Sequence, residues 1–195
     1  MTVQEHLDRA DRLAWGDQEP VEAKREYEAA IACDPSMVEP HVRLSGLYQV
    51  HFRDLGSALA EIRTAITLAP NWVDLRLSCA NLLHQLGRSD DAIACYGEAI
   101  LLDPKDRRAK TNLAYCFYEL LRYQDAILAF HQCINMKSSK GYYGDRFFLA
   151  DAYCANGQIE EAIKQWKIVA KWEPRDADAN SMPVEARKML AKYAQ

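Results

Sequence analysis

Apolar residues along this chain recur at helical rather than strand spacing, and they recur in blocks. The clearest block runs from Val73 to Pro104. Its first half, Val73 to Leu86, reads as an amphipathic helix closed by Gly87, a residue that takes the left-handed conformation without steric cost. The second half opens near Ser89, a helix-capping residue type, and runs to Leu102, where Asp103-Pro104 stops it. Ala92, Tyr96, Ala99 and Ile100 fall on one face of that second helix. Two helices cannot bury both apolar faces on each other alone, so the block needs neighbours of its own kind.

The neighbours are present. Ala92 recurs as Ala23, Ala58, Ala126 and Ala162, at spacings of 35, 34, 34 and 36 residues. Four residues after each alanine stands a large apolar side chain: Tyr27, Ile62, Tyr96, Phe130 and Trp166. Three further on come Ala30, Ala65, Ala99, Cys133 and Val169, and five more reach Pro35, Pro70, Pro104, Ser138 and Pro174. First helices carry a matching triplet of positions: Leu44, Ser45, Tyr48; Cys79, Ala80, Leu83; Leu113, Ala114, Phe117; Leu149, Ala150, Tyr153. A run of 34-residue helix–turn–helix units with this A-x3-F…P signature resembles the tetratricopeptide repeat (TPR) family.

The resemblance implies an all-α fold, a right-handed α-solenoid of about five helix–turn–helix repeats in a single domain over residues 1–195. The repeats are expected at about 4–37, 38–72, 73–106, 107–140 and 143–176, with a capping helix at 181–194. In the first unit, Val3 to Ala14 and Val21 to Cys33 are the helix candidates, with Trp15-Gly16 blurring the register of the first. The second unit has a turn one residue longer, HFRDLGS, followed by a helix from Ser57 to Leu68. Between the fourth and fifth units the stretch NMKSSKGYYGDR carries an insertion, with Ser138 in the proline place and Tyr142 and Tyr143 on a glycine-flanked turn. The last helix, Pro183 to Tyr193 with Ser181 as cap, is expected to pack Val184, Met189 and Leu190 and to turn its charges to water.

Composition narrows the function classes. Lys and Arg number 24 against 28 Asp and Glu, a formal net charge of -4, and no basic tract of five residues occurs, so the footprint of a nucleic-acid binder is missing. MTVQEHLDRA has charges and no apolar h-region, and no apolar run approaches a membrane span of roughly 18 residues. Six cysteines without a C-x-x-C pair suit a reducing, cytoplasmic setting. No phosphate loop, G-x-S-x-G or H-E-x-x-H occurs, and His6, His41, His51, His84 and His131 show no ligand-pair spacing. Cys79 in a leucine place and Cys133 in an alanine place read as small hydrophobes. Asp90-Asp91 and Glu160-Glu161 stand in the first turn of second helices, where negative charge favours the helix dipole. No enzyme, metal site or cofactor is expected.

In the family the first helices line a concave groove that holds a peptide or a partner's helix. The stripe one residue round from the core stripe then supplies the groove candidates: Arg43, Gln49, Asp74, Asn81, His84, Gln85, Arg108, Asn112, Tyr115, Tyr118, Phe147 and Asp151. Leu77 and Phe148 share that stripe but are the residues most suited to packing against adjacent helices. Amides suit a peptide backbone and rings suit its side chains. The expected role is a non-catalytic scaffold or adaptor for a protein or peptide partner. The alternative is a homo-oligomer assembled through its ends or convex face, with an apolar end around Leu7 and Trp15.

Family members that clamp acidic chaperone tails use two asparagines, matched here by Asn81 and Asn112, and three cations. Leu77, Gly144 and Phe148 stand in the cation places, so charge-assisted bonds to a carboxylate tail are missing and that subtype is excluded. His41, Arg76, Lys110 and Arg146 occupy the place of the family's tryptophan, so that packing contact is absent.

Overall fold

The structure is a computed structural model that describes residues 1–136, 143–172 and 181–194. The described elements are helical: α1 Val3–Asp11, α2 Pro20–Cys33, α3 Val38–Leu47, α4 Leu55–Leu68, α5 Val73–Gln85, α6 Ser89–Leu102, α7 Arg107–Glu119, α8 Tyr123–Ile134, α9 Tyr143–Ala155, α10 Ile159–Val169 and α11 Ser181–Tyr193. The chain forms two compact units, Met1–Pro104 and Lys105–Gln195. In the first, each of α1 to α6 packs on the next, and in the second the same holds from α7 to α10, with α11 on α10 and α9.

The alanine columns explain the stacking. Ala23, Ala58, Ala92, Ala126 and Ala162 are all fully buried, as are Ala30, Ala65, Ala99, Cys133 and Val169. The large residue between them (Tyr27, Ile62, Tyr96, Phe130, Trp166) is buried in every hairpin. A small residue on either side of a large one lets two helix backbones approach while the ring fills the space between them.

Each hairpin turns its corner through one left-handed residue: Gln18 (φ 58°), Arg53 (φ 54°), Gly87 (φ 73°), Leu121 (φ 59°) and Gly157 (φ 79°). The residue after it donates its N–H back into the first helix, closing the orphan carbonyls there. In the last three hairpins the acceptor lies five residues back, as in Arg88 to Leu83 (2.9 Å), Arg122 to Phe117 (2.9 Å) and Gln158 to Tyr153 (2.8 Å). In the first two it lies six back, Glu19 to Leu13 (2.7 Å) and Asp54 to Tyr48 (3.0 Å). The extra residue sits in a π-helical turn, Arg12–Gly16 after α1 and Tyr48–Phe52 after α3. The longer connection expected in the second unit is therefore a widened helical turn rather than a longer loop, and the blurred register at Trp15-Gly16 has the same cause.

Several local expectations are corrected. Ser89 is the first residue of α6 and does not cap it; Arg88 holds that place, its guanidinium on Asp91 at 2.8 Å. Asp54 caps α4 by accepting from Ser57 N at 2.9 Å, so that helix starts at Leu55, before Ser57. Val184 is exposed, and α11 buries Pro183 and Ala186 instead, with Met189 and Leu190 partly covered. Leu7 is fully buried with Ala10 and Tyr27, so of the expected apolar end only Trp15 remains half-exposed, against His51 at 4.9 Å. Tyr143 opens α9 and stacks on Trp172 at 4.6 Å, while Ser138 and Tyr142 lie outside the described residues.

The tryptophan place of the family is filled by polar pairs. His41 Nδ1 meets Glu61 Oε2 at 2.7 Å, and His6 Nδ1 meets Glu26 Oε2 at 2.6 Å, each joining the two helices of one hairpin. Arg146 donates to Gln165 Oε1 at 3.0 Å in the fifth hairpin. Arg76 in the third reaches Glu98 at 2.9 Å, one turn further along α6. Ser45 is buried and donates to the Ala58 carbonyl at 2.9 Å.

Candidate functional site

In the first unit the π turn carries Gln49 to the side of α5. Gln49 donates its amide to Gln85 Oε1 at 3.2 Å. The two amides border a hollow of about 190 Å³ whose walls include Val42, Gly46, Ser78 and Asn81. They also border a second hollow of about 630 Å³ over Val50, Arg53 and Leu55. Asn81 Oδ1 accepts from the Tyr96 hydroxyl at 2.6 Å, which orients its amide. Gly46 has nothing within 4 Å of where a Cβ would stand, so the floor here is open.

Other candidates in that unit are used differently. Arg43 is paired with Asp11 of α1 and with Glu39 one turn back, which ties the first two hairpins together. Asp74 is exposed beside the Trp72 indole, 3.4 Å away. His84 is half-buried in the last turn of α5. Leu77 is buried, as its packing role requires.

In the second unit the candidates form an aromatic cluster. Tyr115 meets Phe148 edge-on at 4.7 Å and Phe130 at 5.3 Å, and Tyr118 meets Phe148 at 5.6 Å and Tyr123 at 5.9 Å. Phe147 and Phe148, with Ser181, Met182 and Glu185 of α11, line a hollow of about 290 Å³. The sequence does not mark Met182 and Glu185, because which face of α11 docks is not legible from its short polar pattern. Burial raises the Tyr115 and Tyr118 hydroxyls above their ordinary range, so both stay neutral donors.

Asp151 lies beside this cluster. Its carboxyl is pushed up to about 6, chiefly by burial, with Glu185 adding to the rise and the Trp166 indole N–H opposing it. Arg108 folds back onto Asp106 at 2.7 Å and stays exposed. Asn112 is half-buried on α7. A further polar contact was invisible in the sequence: Asp145, 3% exposed, is paired with Arg107, one hairpin away.

The described residues hold no group of three or more His, Cys, Asp or Glu placed for a metal, and no described helix is long and apolar enough to cross a membrane. The two surfaces offer amide donors and acceptors in one unit and aromatic faces with a carboxylate in the other. Such groups bind polar backbone and bulky side chains.

Comparison with known proteins agrees with this construction. The family model for the tetratricopeptide repeat matches residues 80–132. The peroxisomal targeting signal receptor of Saccharomyces cerevisiae is 30% identical over 146 residues, 69% of this chain and 22% of the receptor. The chain thus spans about a fifth of that relative's length. Among solved structures, MamA superposes with a TM-score of 0.76 at 19% identity, covering 99% of this chain and 96% of MamA. YrrB, a TPR protein described as having an unusual peptide-binding site, superposes at 0.74 with 17% identity, over 94% and 90% of the two chains. A repeat protein from Parabacteroides merdae reaches 0.79 at 18% identity, over 98% and 75%. At these identities the likeness establishes the fold class, an all-α solenoid of stacked hairpins.

Proposed function

This chain is a tetratricopeptide repeat protein, and from that premise we propose that it serves as a non-catalytic scaffold that captures a partner peptide or helix. The observation that carries this reading is the convergence of Gln49, Asn81 and Gln85 on one open hollow of the first unit. Amides there can pair with an extended backbone, which offers one donor and one acceptor per residue. The Tyr118, Phe147 and Phe148 cluster supplies a second station, suited to a bulky side chain. The yeast relative is named as the receptor of a targeting signal and YrrB as a TPR protein with a peptide-binding site, which supports the same class of partner.

The test is selection of a displayed random-peptide library on the purified protein, followed by fluorescence anisotropy of the enriched sequences. Affinity on the order of micromolar, near -8 kcal/mol, is expected. Gln49→Ala with Gln85→Ala should weaken it by about tenfold, or 1.4 kcal/mol. Enriched peptides that bind this double variant as tightly as the parent refute the amide station.

A further inference from the structure

The third hairpin departs from the first two at one place. In the first two, the acidic residue three after the alanine column, Glu26 or Glu61, faces the basic residue of the first helix. In the third, the basic residue is Arg76 and the acidic position is Cys95. Arg76 reaches past it to Glu98, and its Nε is buried with no hydrogen-bond partner. Cys95 Sγ lies 3.8 Å from Cys79 Sγ across the α5–α6 pair. The Cys79 side chain is buried and Cys95 is half-buried.

We infer that Cys79 and Cys95 form a dithiol site that hydrogen peroxide converts reversibly into an intrahairpin disulfide. With the neutral Cys95 where the first two hairpins carry a carboxylate, the guanidiniums beside the pair act instead on the Cys79 thiol across from it. Accordingly the Cys79 thiol is lowered to about 7, first by hydrogen bonding from Cys95, then by the Arg63 and Arg76 guanidiniums, against burial. The Cys95 thiol moves up, because it holds the shared proton against its anionic neighbour. A lowered thiol beside a resolving thiol is the pairing that peroxide oxidation selects, and the half-buried Cys95 side gives the pair its access to solvent. Cys33, exposed and far from this pair in sequence, has no such setting and serves as an internal reference.

The chemistry balances with the peroxide as oxidant. Cys79 thiolate attacks one peroxide oxygen and breaks the O–O bond. That oxygen remains as the sulfenic acid, and the other leaves as hydroxide, which takes a proton to become water. Cys95 sulfur then displaces the hydroxyl from Cys79 Sγ as a second water, its own thiol proton leaving with it. Two thiols and one peroxide become one disulfide and two waters. The sulfurs close from 3.8 Å to the roughly 2.0 Å of a disulfide, within one hairpin.

The experiment treats the reduced full-length chain with increasing hydrogen peroxide and maps it without reductant. Trypsin places the two thiols on separate peptides, Leu77–Arg88 and Ser89–Lys105, so a crosslink between them is diagnostic. The first equivalent of peroxide should remove two hydrogen atoms from the intact mass and join those peptides, roughly tenfold faster than Cys33 is consumed. Cys95→Ala should halt at a sulfenic acid on Cys79, trapped by dimedone, and Arg76→Met should slow the crosslink without changing the circular dichroism. Consumption of Cys33 ahead of the pair, or a Cys95→Ala variant with no sulfenic adduct on Cys79, overturns the assignment.

Discussion

Trp166 donates its indole N–H to the carboxylate of Asp151 at 3.2 Å, joining the two helices of the last hairpin beside the aromatic cluster. The same carboxyl is held up at about 6 by burial. A carboxyl whose folded value lies above its unfolded one binds its proton more tightly when folded, so its ionisation costs stability as pH rises. The cost is absent below about pH 4 and fully present above pH 6 to 7. Asp151→Asn should therefore raise the melting temperature at pH 8 and leave it nearly unchanged at pH 4.5. Equal shifts at the two pH values would remove burial of the charge as the cause.

The buried pair Arg107–Asp145 gives a second expectation. Asp145 sits at 3% exposure, and burial raises its carboxyl although Arg107 pulls the other way. Removing one partner of a buried ion pair is strongly destabilising, so Asp145→Ala should cost up to about 3–5 kcal/mol. Replacing both by apolar residues, Arg107→Met with Asp145→Leu, should cost far less. Urea unfolding of both variants measures the contrast.

At the corners, chemistry and conformation disagree in three of five hairpins. Leu121 is exposed yet adopts φ 59°, where Gly87 and Gly157 do so freely. A left-handed residue bearing a Cβ costs roughly 1–2 kcal/mol, offset in part by glycine's greater unfolded-state entropy. Leu121→Gly should therefore stabilise the protein by about 0.5–1 kcal/mol. Gly87→Ala should cost a similar amount, and only through the backbone, because its Cβ would meet open space. Thermal unfolding of the two variants should move in opposite directions.

His41 offers a fourth test. It is buried and meets Glu61 at 2.7 Å. Glu61→Ala deprives its ring of that partner and should cost about 1–3 kcal/mol, read from the denaturation midpoint. Tolerance of Glu61→Ala without loss would show that water reaches the ring.

The array was legible because its signal is steric. A stacked hairpin tolerates only a methyl group where two helix backbones meet, so Ala23, Ala58, Ala92, Ala126 and Ala162 mark the period plainly. The widened turns were hidden, because an additional residue alters the count but not its location. Asp54 as cap and Arg88 in place of Ser89 escaped notice because several capping types crowd each corner. At the surfaces, the 3.6-residue period placed Gln49, Asn81, Gln85, Tyr115 and Tyr118 on helix faces that do share neighbours. It also placed Arg43 there, and missed that Asp11 and Glu39 claim its guanidinium. Residue phase along a helix says which way a side chain leaves; only packing says what it meets.

The π turn Tyr48–Phe52 has a further consequence. Each residue advances a helix by about 100°, so the additional residue is housed at the point where Gln49 emerges beside Gln85. Trimming one residue there would restore the regular period and swing that amide off its partner. The second hairpin is therefore not an interchangeable module, and a family-average hairpin grafted in its place would keep the stack while erasing the hollow.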